Sequence, residues 1–409
     1  MKNTNYFTKF ILVFSLGGLL LMVGCQDDET LVEVQELETL ANYEIAPIEG
    51  QYIVVLKESS LSRNIPQNYD QRITMLKNNF LTRFSSLKIS SENIKKTYGF
   101  AVKGVAVQLN HEQLQVLRAH KDVQLIEQDY QITLSPDLSI LKGKPSNPGG
   151  GGEETPTQVT PWGVTRIGGA GNGVGKIAWI IDSGVDLTHP DLTVDVARSK
   201  SFLGGRDADD PNDYNGHGTH VAGTVAALDN NIGVVGVAAG ATVVAVRVLD
   251  RRGSGSYSGV IAGVDYVAAN GAAGDAANMS LGGPVSSALD NAVVAASSIV
   301  KFALAAGNES DDANNHSPAR ANGPNIYTVS ASDSADRLAS FSNYGNPPVD
   351  YAAPGVSIAS LWKNGGTNTI SGTSMASPHV CGLLLLGNVN FDGYVSNDPD
   401  GNPDKIAHR

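Results

Sequence analysis

Three short segments carry side chains that could do nucleophilic chemistry together: WIIDSGVD around Asp182, NGHGTHVAGT around His217, and SGTSMASPHV around Ser374. A serine hydroxyl is a poor nucleophile near neutral pH and needs a base to take its proton as it attacks. Imidazole suits that task, because its ordinary pKa of about 6.5 lies near working pH. A carboxylate on the far ring nitrogen fixes the tautomer and stabilises the imidazolium that forms. Any one of these residues alone would say nothing. Three extended motifs in the order acid, imidazole, hydroxyl define one candidate constellation.

The surrounding sequence supplies an element to hold each group. KIAWIID is an apolar run that reads as a buried parallel strand with Asp182 at its carboxyl end. Catalytic groups of open α/β sheets gather at that edge. HVAGTVAAL after His217 and MASPHVCGLLLL after Ser374 read as buried helices, each carrying its functional residue near the N-terminus. There the dipole favours developing negative charge. In KFALAAGNES a further strand leads through Gly307 to Asn308. His189, His220 and His379 read as packed structural histidines, and Cys381, amid apolar neighbours, as a small hydrophobe.

With the flanks PWGVTRI and VRVLDRRGSGSYSGVIAGVDYV, these motifs resemble the subtilisin-like serine peptidases, and within them the proteinase K branch. The resemblance runs from about Pro161 to about Leu386. It implies that Asn308 donates its side-chain amide to the oxyanion, together with the backbone N–H of Ser374. It also implies that Gly253, Ser254 and Gly255, and Ser280, Leu281 and Gly282, sandwich a polypeptide substrate as an added strand. Ala305, Ala306 and Gly307 would line the primary pocket. Small, uncharged liners have no strong means of selecting Lys or Arg, so the expectation is broad cleavage after apolar or aromatic residues. By the same resemblance Asp350, with the carbonyls of Pro324 and Ile326, would hold a structural Ca2+; an ordinary solvated aspartate is the alternative reading. The acidic tail NVNFDGYVSNDPDGNPDKI does not follow EF-hand spacing, and polar turns account for it.

The chain has 409 residues, 41% hydrophobic and 17% charged, with a net charge of −12. Such a composition describes a globular protein with ample core, and the negative charge argues against nucleic-acid binding. Residues 1–24 combine Lys2 and Lys9 with the run FILVFSLGGLLLMV, too short for an ordinary spanning helix, and read as a signal segment. LMVGC resembles a bacterial lipoprotein box with Cys25 as the lipid acceptor, and QDDE after it resembles a surface-export tag. A spacer fills 25–49. Residues 50–134 show a strand, helix, strand, helix, strand pattern and resemble the inhibitory propeptide of the same peptidases. Residues 135–158, with Pro and four consecutive Gly, read as a flexible processing linker, and 159–409 as the catalytic domain.

The fold expected is therefore α/β, a doubly wound and mostly parallel sheet, preceded by a small α+β prodomain. The function expected is that of an exported, monomeric serine endopeptidase made as a self-processing zymogen, its own propeptide serving as inhibitor. Two rivals are a catalytically dead binding protein on the same fold, and a chain whose active product is the prosegment.

Overall fold

The computed structural model describes residues 46–58, 65–134 and 157–409. The signal segment, Cys25 and nearly all of the linker lie outside them. Among the described residues no helix is long and apolar enough to cross a membrane.

The prosegment comprises β1 (Ala46–Leu56), α1 (Tyr69–Arg83), β2 (Ile94–Tyr98), β3 (Gly104–Gln108), α2 (His111–Arg118) and β4 (Val123–Thr133). Sequence reading gives one strand between the helices, whereas the structure forms an antiparallel hairpin, β2 against β3. Lys95 and Lys96 break the apolar alternation of β2 and conceal it. Side chains on β1 alternate between two interiors, as the period of 2 requires. Val54 and Leu56 pack with Phe80, Phe84, Leu114 and Leu117 of the prosegment's own helices. Ile53 and Val55 face the catalytic part and join Tyr257, Val260 and Val264.

The catalytic part is built on β5 (Ile177–Asp182), β6 (Thr193–Val194), β7 (Thr242–Arg247), β8 (Ser254–Ser256), β9 (Ala276–Met279), β10 (Lys301–Ala305), β11 (Ile326–Ser332), β12 (Val349–Pro354), β13 (Ile358–Trp362), β14 (Gly366–Ile370), β15 (Asn390–Tyr394) and β16 (Lys405–His408). Its helices are α3 (Trp162–Arg166), α4 (His217–Ala226), α5 (Tyr257–Asn270), α6 (Ser287–Ala296) and α7 (Thr373–Leu386). The main sheet runs in the order β15-β16-β12-β11-β10-β9-β5-β7-β6 and is parallel except at the β15 edge. Helices cover both faces, which is why the central strands are apolar throughout. One core lies under α5 and α6 and takes in prosegment residues; the other holds Val221, Ala222 and Val225 of α4 against Met375, Ala376 and Val380 of α7.

The tail folds onto the far edge. β16 lies parallel beside β12, with Ile406 opposite Ala352, and β15 closes the sheet as an exposed antiparallel strand. Asp404 anchors this turn, accepting from Ser330 Oγ at 2.5 Å and from Asn346 Nδ2 at 3.1 Å.

Candidate active site

β5 delivers Asp182, fully buried, to the carboxyl end of the sheet. Its carboxylate meets His217 Nδ1 at 2.8 Å (Oδ1) and 3.0 Å (Oδ2), and also accepts the Ser183 N–H at 2.7 Å. An ionised carboxylate only accepts, so this contact keeps the ring proton on Nδ1 and makes Nε2 the basic nitrogen. His217 is the first residue of α4. The preceding Gly216 has φ +114 and lies against the Trp362 indole, so a side chain there would be both strained and blocked. Gly218 faces the Gly184 carbonyl just as closely.

Sequence reading overlooked the residue that ties this loop together. Asp213 is buried and takes Ser183 Oγ, the N–H groups of Asn215 and Gly216, and both N–H and hydroxyl of Thr219. Its place in DYNGHGTH was the available signal.

Ser374 is the second residue of α7 and directs its hydroxyl to the Ser280 carbonyl at 3.3 Å. Ser280 Oγ in turn donates to the Ser374 carbonyl at 2.8 Å and accepts from Asn278 Nδ2 at 2.8 Å. Asn308 Oδ1 accepts the Thr373 N–H at 2.8 Å and hydroxyl at 2.9 Å. A backbone N–H can only donate, so the amide oxygen must face Thr373 and the NH2 group is turned the other way. His220 Nε2, His379 Nδ1 and His189 Nε2 donate to the carbonyls of Ile358, Met375 and Gly366. Burial lowers His220 to about 3 and His379 to about 4, which keeps both neutral. Cys381 is buried, and burial pushes its thiol pKa up.

The two glycine-rich segments enclose the end of the prosegment strand. β4 pairs antiparallel with β8, and the Leu134 N–H reaches the Gly253 carbonyl at 2.9 Å. Ile132 is buried with Leu249, Tyr257 and Leu281, close to Gly283. Ala305 and Ala306 are buried, and Gly307, at φ +110, is bracketed by Asn343 and Glu309. Glu309 is a charge that sequence reading missed: its carboxylate accepts Asn343 Nδ2 at 2.7 Å and lies 3.7 Å from His316 Nδ1. Its position directly after Asn308 was the signal.

Carboxylates also fasten the prosegment to the enzyme. Glu127 accepts Ser286 Oγ and the N–H groups of Ser287 and Ala288 at the start of α6. Asp129 accepts the Ser258 N–H at the start of α5 and Gln51 Nε2. In the opposite direction Asp265 of α5 accepts the successive N–H groups of Gly99, Phe100 and Ala101 at 2.7–3.1 Å.

Two places could hold a hard cation. Asp350 occupies a bulge where β12 pairs with β11 and accepts the Thr328 N–H at 3.0 Å. Burial raises its carboxyl to about 6, a sign of charge that one N–H leaves under-compensated. Pro324 and Ile326 lie just upstream of Thr328, in the turn before β11 and at its first residue. The second place was missed from sequence. Gln158 Nε2 lies 2.6 Å from Leu228 O, 3.3 Å from Val234 O and 3.5 Å from Asn230 Oδ1. The buried Asp191 carboxylate, held by Asn230 and the Val234 N–H, adjoins them. With the Gln158 amide turned over, its oxygen would join Leu228 O, Val234 O and Asn230 Oδ1 beside the Asp191 carboxylate, oxygen donors of the kind a hard cation takes. Among the described residues no group of three or more His, Cys, Asp or Glu converges as a metal site.

Comparison with known proteins places this architecture. The Subtilase family (Peptidase_S8) model matches residues 175–394, and the Peptidase inhibitor I9 model matches residues 51–135. The chain therefore belongs to the subtilase family of serine proteases and carries an N-terminal inhibitor domain of the I9 type. It is 38% identical over 377 residues to the subtilisin-like serine protease AsES of Sarocladium strictum, covering 84% of this chain and 92% of the relative. It is 36% identical over 422 residues to an extracellular serine proteinase of Thermus, covering 96% and 91%. Against the alkaline serine exoprotease A of Vibrio alginolyticus the identity is 40% over 353 residues, 83% of this chain but only 60% of that protein. The crystal structure of a cold adapted subtilisin-like serine proteinase superposes with a TM-score of 0.53 at 41% identity, covering 62% of this chain and 98% of the other.

Proposed function

We propose that the chain is exported as a zymogen and, once freed of its prosegment, cleaves polypeptides through an acyl-enzyme. Ser374 attacks the carbonyl carbon while His217 Nε2 takes its proton. Asp182 stabilises the imidazolium, and the proton passes to the leaving nitrogen as the C–N bond breaks. The Asn308 amide and the Ser374 N–H hold the oxyanion. The observation that carries this reading is the Asp182–His217 contact beside a cleft whose two walls already grip a peptide strand.

The small pocket liners favour apolar and aromatic side chains, with Glu309 at the pocket's edge giving cations limited access. Calcium at the Asp350 and Asp191–Gln158 places acts on stability alone. A lipid on Cys25 precedes the inhibitor domain in the chain, so any cut in the linker parts the enzyme from its anchor. A serine-directed fluorophosphonate tests the core of this reading: matured wild type takes the label, and Ser374→Ala neither labels nor processes itself. A Ser374→Ala protein that still labels would sink it.

A further inference from the structure

Strands β9 and β10 lie side by side in the sheet, with Met279 opposite Leu304, and their continuations part beyond it. One continuation brings the Ser280 carbonyl to the Ser374 hydroxyl at 3.3 Å; the other brings the Gly307 N–H to the Thr373 hydroxyl at 3.1 Å. The gap between them therefore opens beside the nucleophile, where the side chain preceding a cut bond must go. Its far end is bridged. His316 and Ser317 pair antiparallel with Pro284 and Gly283 of the first continuation, and the His316 ring reaches Glu309 and Asp311 of the second.

The acid at this end is held in place. Asn343, fully buried, donates from Nδ2 to the Ala306 carbonyl and to Glu309 Oε2, and its Oδ1 accepts the N–H groups of Glu309 and Asp311. This clamp sets Glu309 Oε2 2.5 Å from where a Cβ on Gly307 would stand, against the pocket wall. The neutral imidazole then has one place for its proton. Nε2 lies 3.1 Å from Asp311 Oδ2, and a carboxylate only accepts, so the hydrogen sits on Nε2. Nδ1, 3.7 Å from Glu309 Oε2, turns a lone pair toward that carboxylate. Protonation replaces the lone pair with an N–H donor.

Building on the Ser374 reading and its primary pocket, we infer that His316 decides whether that pocket accepts a basic side chain. When neutral it leaves Glu309 to receive one, and when protonated it occupies Glu309 itself. Imidazole ordinarily changes charge between about pH 5 and 8. Arginine before the cut bond should therefore be favoured at the alkaline end and disfavoured in acid, while an apolar side chain is indifferent. The other charged groups nearby keep this sign. Asp312, on the same loop, is turned to Asn314. Asp290 of α6, 3.3 Å from Arg320, is raised by burial to about 6, so it too gains negative charge as pH rises. Glu127 leaves with the prosegment, and burial pushes the Tyr257 phenol up, which keeps it neutral.

Two acetylated peptide substrates, differing only in arginine or phenylalanine before the cut bond, test this with matured enzyme from pH 5.5 to pH 8.5. Arginine keeps its charge throughout, and the titration of His217 is common to both substrates, so the ratio of their kcat/KM isolates the pocket. In wild type the arginine-to-phenylalanine ratio should rise about fivefold with pH, the scale of one partly exposed ion pair. His316→Gln should hold the ratio near its alkaline value and flatten most of the rise. Glu309→Gln should hold it near its acid value. A ratio that stays constant in wild type, or that rises as steeply in His316→Gln, overturns the inference. Fluorophosphonate labelling of the same preparations keeps such a result apart from failure of the Ser374 reading.

Discussion

Among the described residues, two pairs of helix N-termini are held in two different ways. Those of α4 and α7 carry His217 and Ser374, and they are fixed from within by tight glycine approaches, the Asp213 hub and the apolar core between the helices. Those of α5 and α6 receive their anions, Asp129 and Glu127, from the prosegment. The first pair belongs to the permanent interior. The second pair is complete only while the inhibitor is docked. On the proposed reading the same dipole physics serves chemistry on one face and a separable contact on the other.

Substitutions on the two faces should separate accordingly. On the chemical face Asn308→Ala should lower kcat by roughly 10²–10³, a magnitude measured for subtilisin, with little change in KM, because its donor acts on the transition state. Steady-state kinetics on a small peptide substrate would check it, and a loss confined to KM would remove the oxyanion role. On the docking face Glu127→Ala and Asp129→Ala should leave kcat untouched. Each should weaken the processed prosegment's hold by about 1–3 kcal/mol, the scale of charge-assisted hydrogen bonds. Recovery of activity after dilution of the processed complex would report that loss, and an unchanged recovery would reduce these carboxylates to surface ornament.

The chemical face was far more legible in the sequence than the docking face. An apolar run ending in Asp182, a His217 between two glycines and a Ser374 two residues after Gly372 are local patterns, and the strand and helices they predict are present. Glu127, Asp129 and Asp265 gave no such signal, because the helix end or loop each one meets across the docking face lies more than a hundred residues away. Gln158 with Leu228 and Asp404 with Ser330 in the tail are hidden likewise, by separations of 70 and 74 residues. β15 escaped notice for a different reason: it is exposed on every residue, so no apolar alternation marks it.

Cation removal should act on the permanent interior and spare the docking contacts. A cation bound only by the folded state at a hundred times its Kd adds about 2.7 kcal/mol. Chelation should therefore lower Tm, and Asp191→Asn and Asp350→Asn should each blunt that response. Identical melting curves with calcium and with chelator would remove the metal from both places.

The smallest expected effect is the pH dependence of docking. Burial raises Asp265 to about 6 against the pull of its three N–H partners, and burial also raises Asp129. An exposed carboxyl ordinarily titrates near 4, so the docked pair holds protons that the separated parts release. Docking therefore takes up protons between about pH 4 and 6, is tightest at the acid end of that window, and is weakest above it, where both groups are charged. Each group accounts for at most about a tenfold change per pH unit. Prosegment dissociation measured from pH 5 to pH 8 should quicken up to about pH 6.5 and then level, and Asp265→Asn should flatten most of the rise. Tighter docking at pH 8 than at pH 5 would mean that the N–H groups of residues 99–101 outweigh the cost of burying the charge, and that the prosegment is released by acid instead.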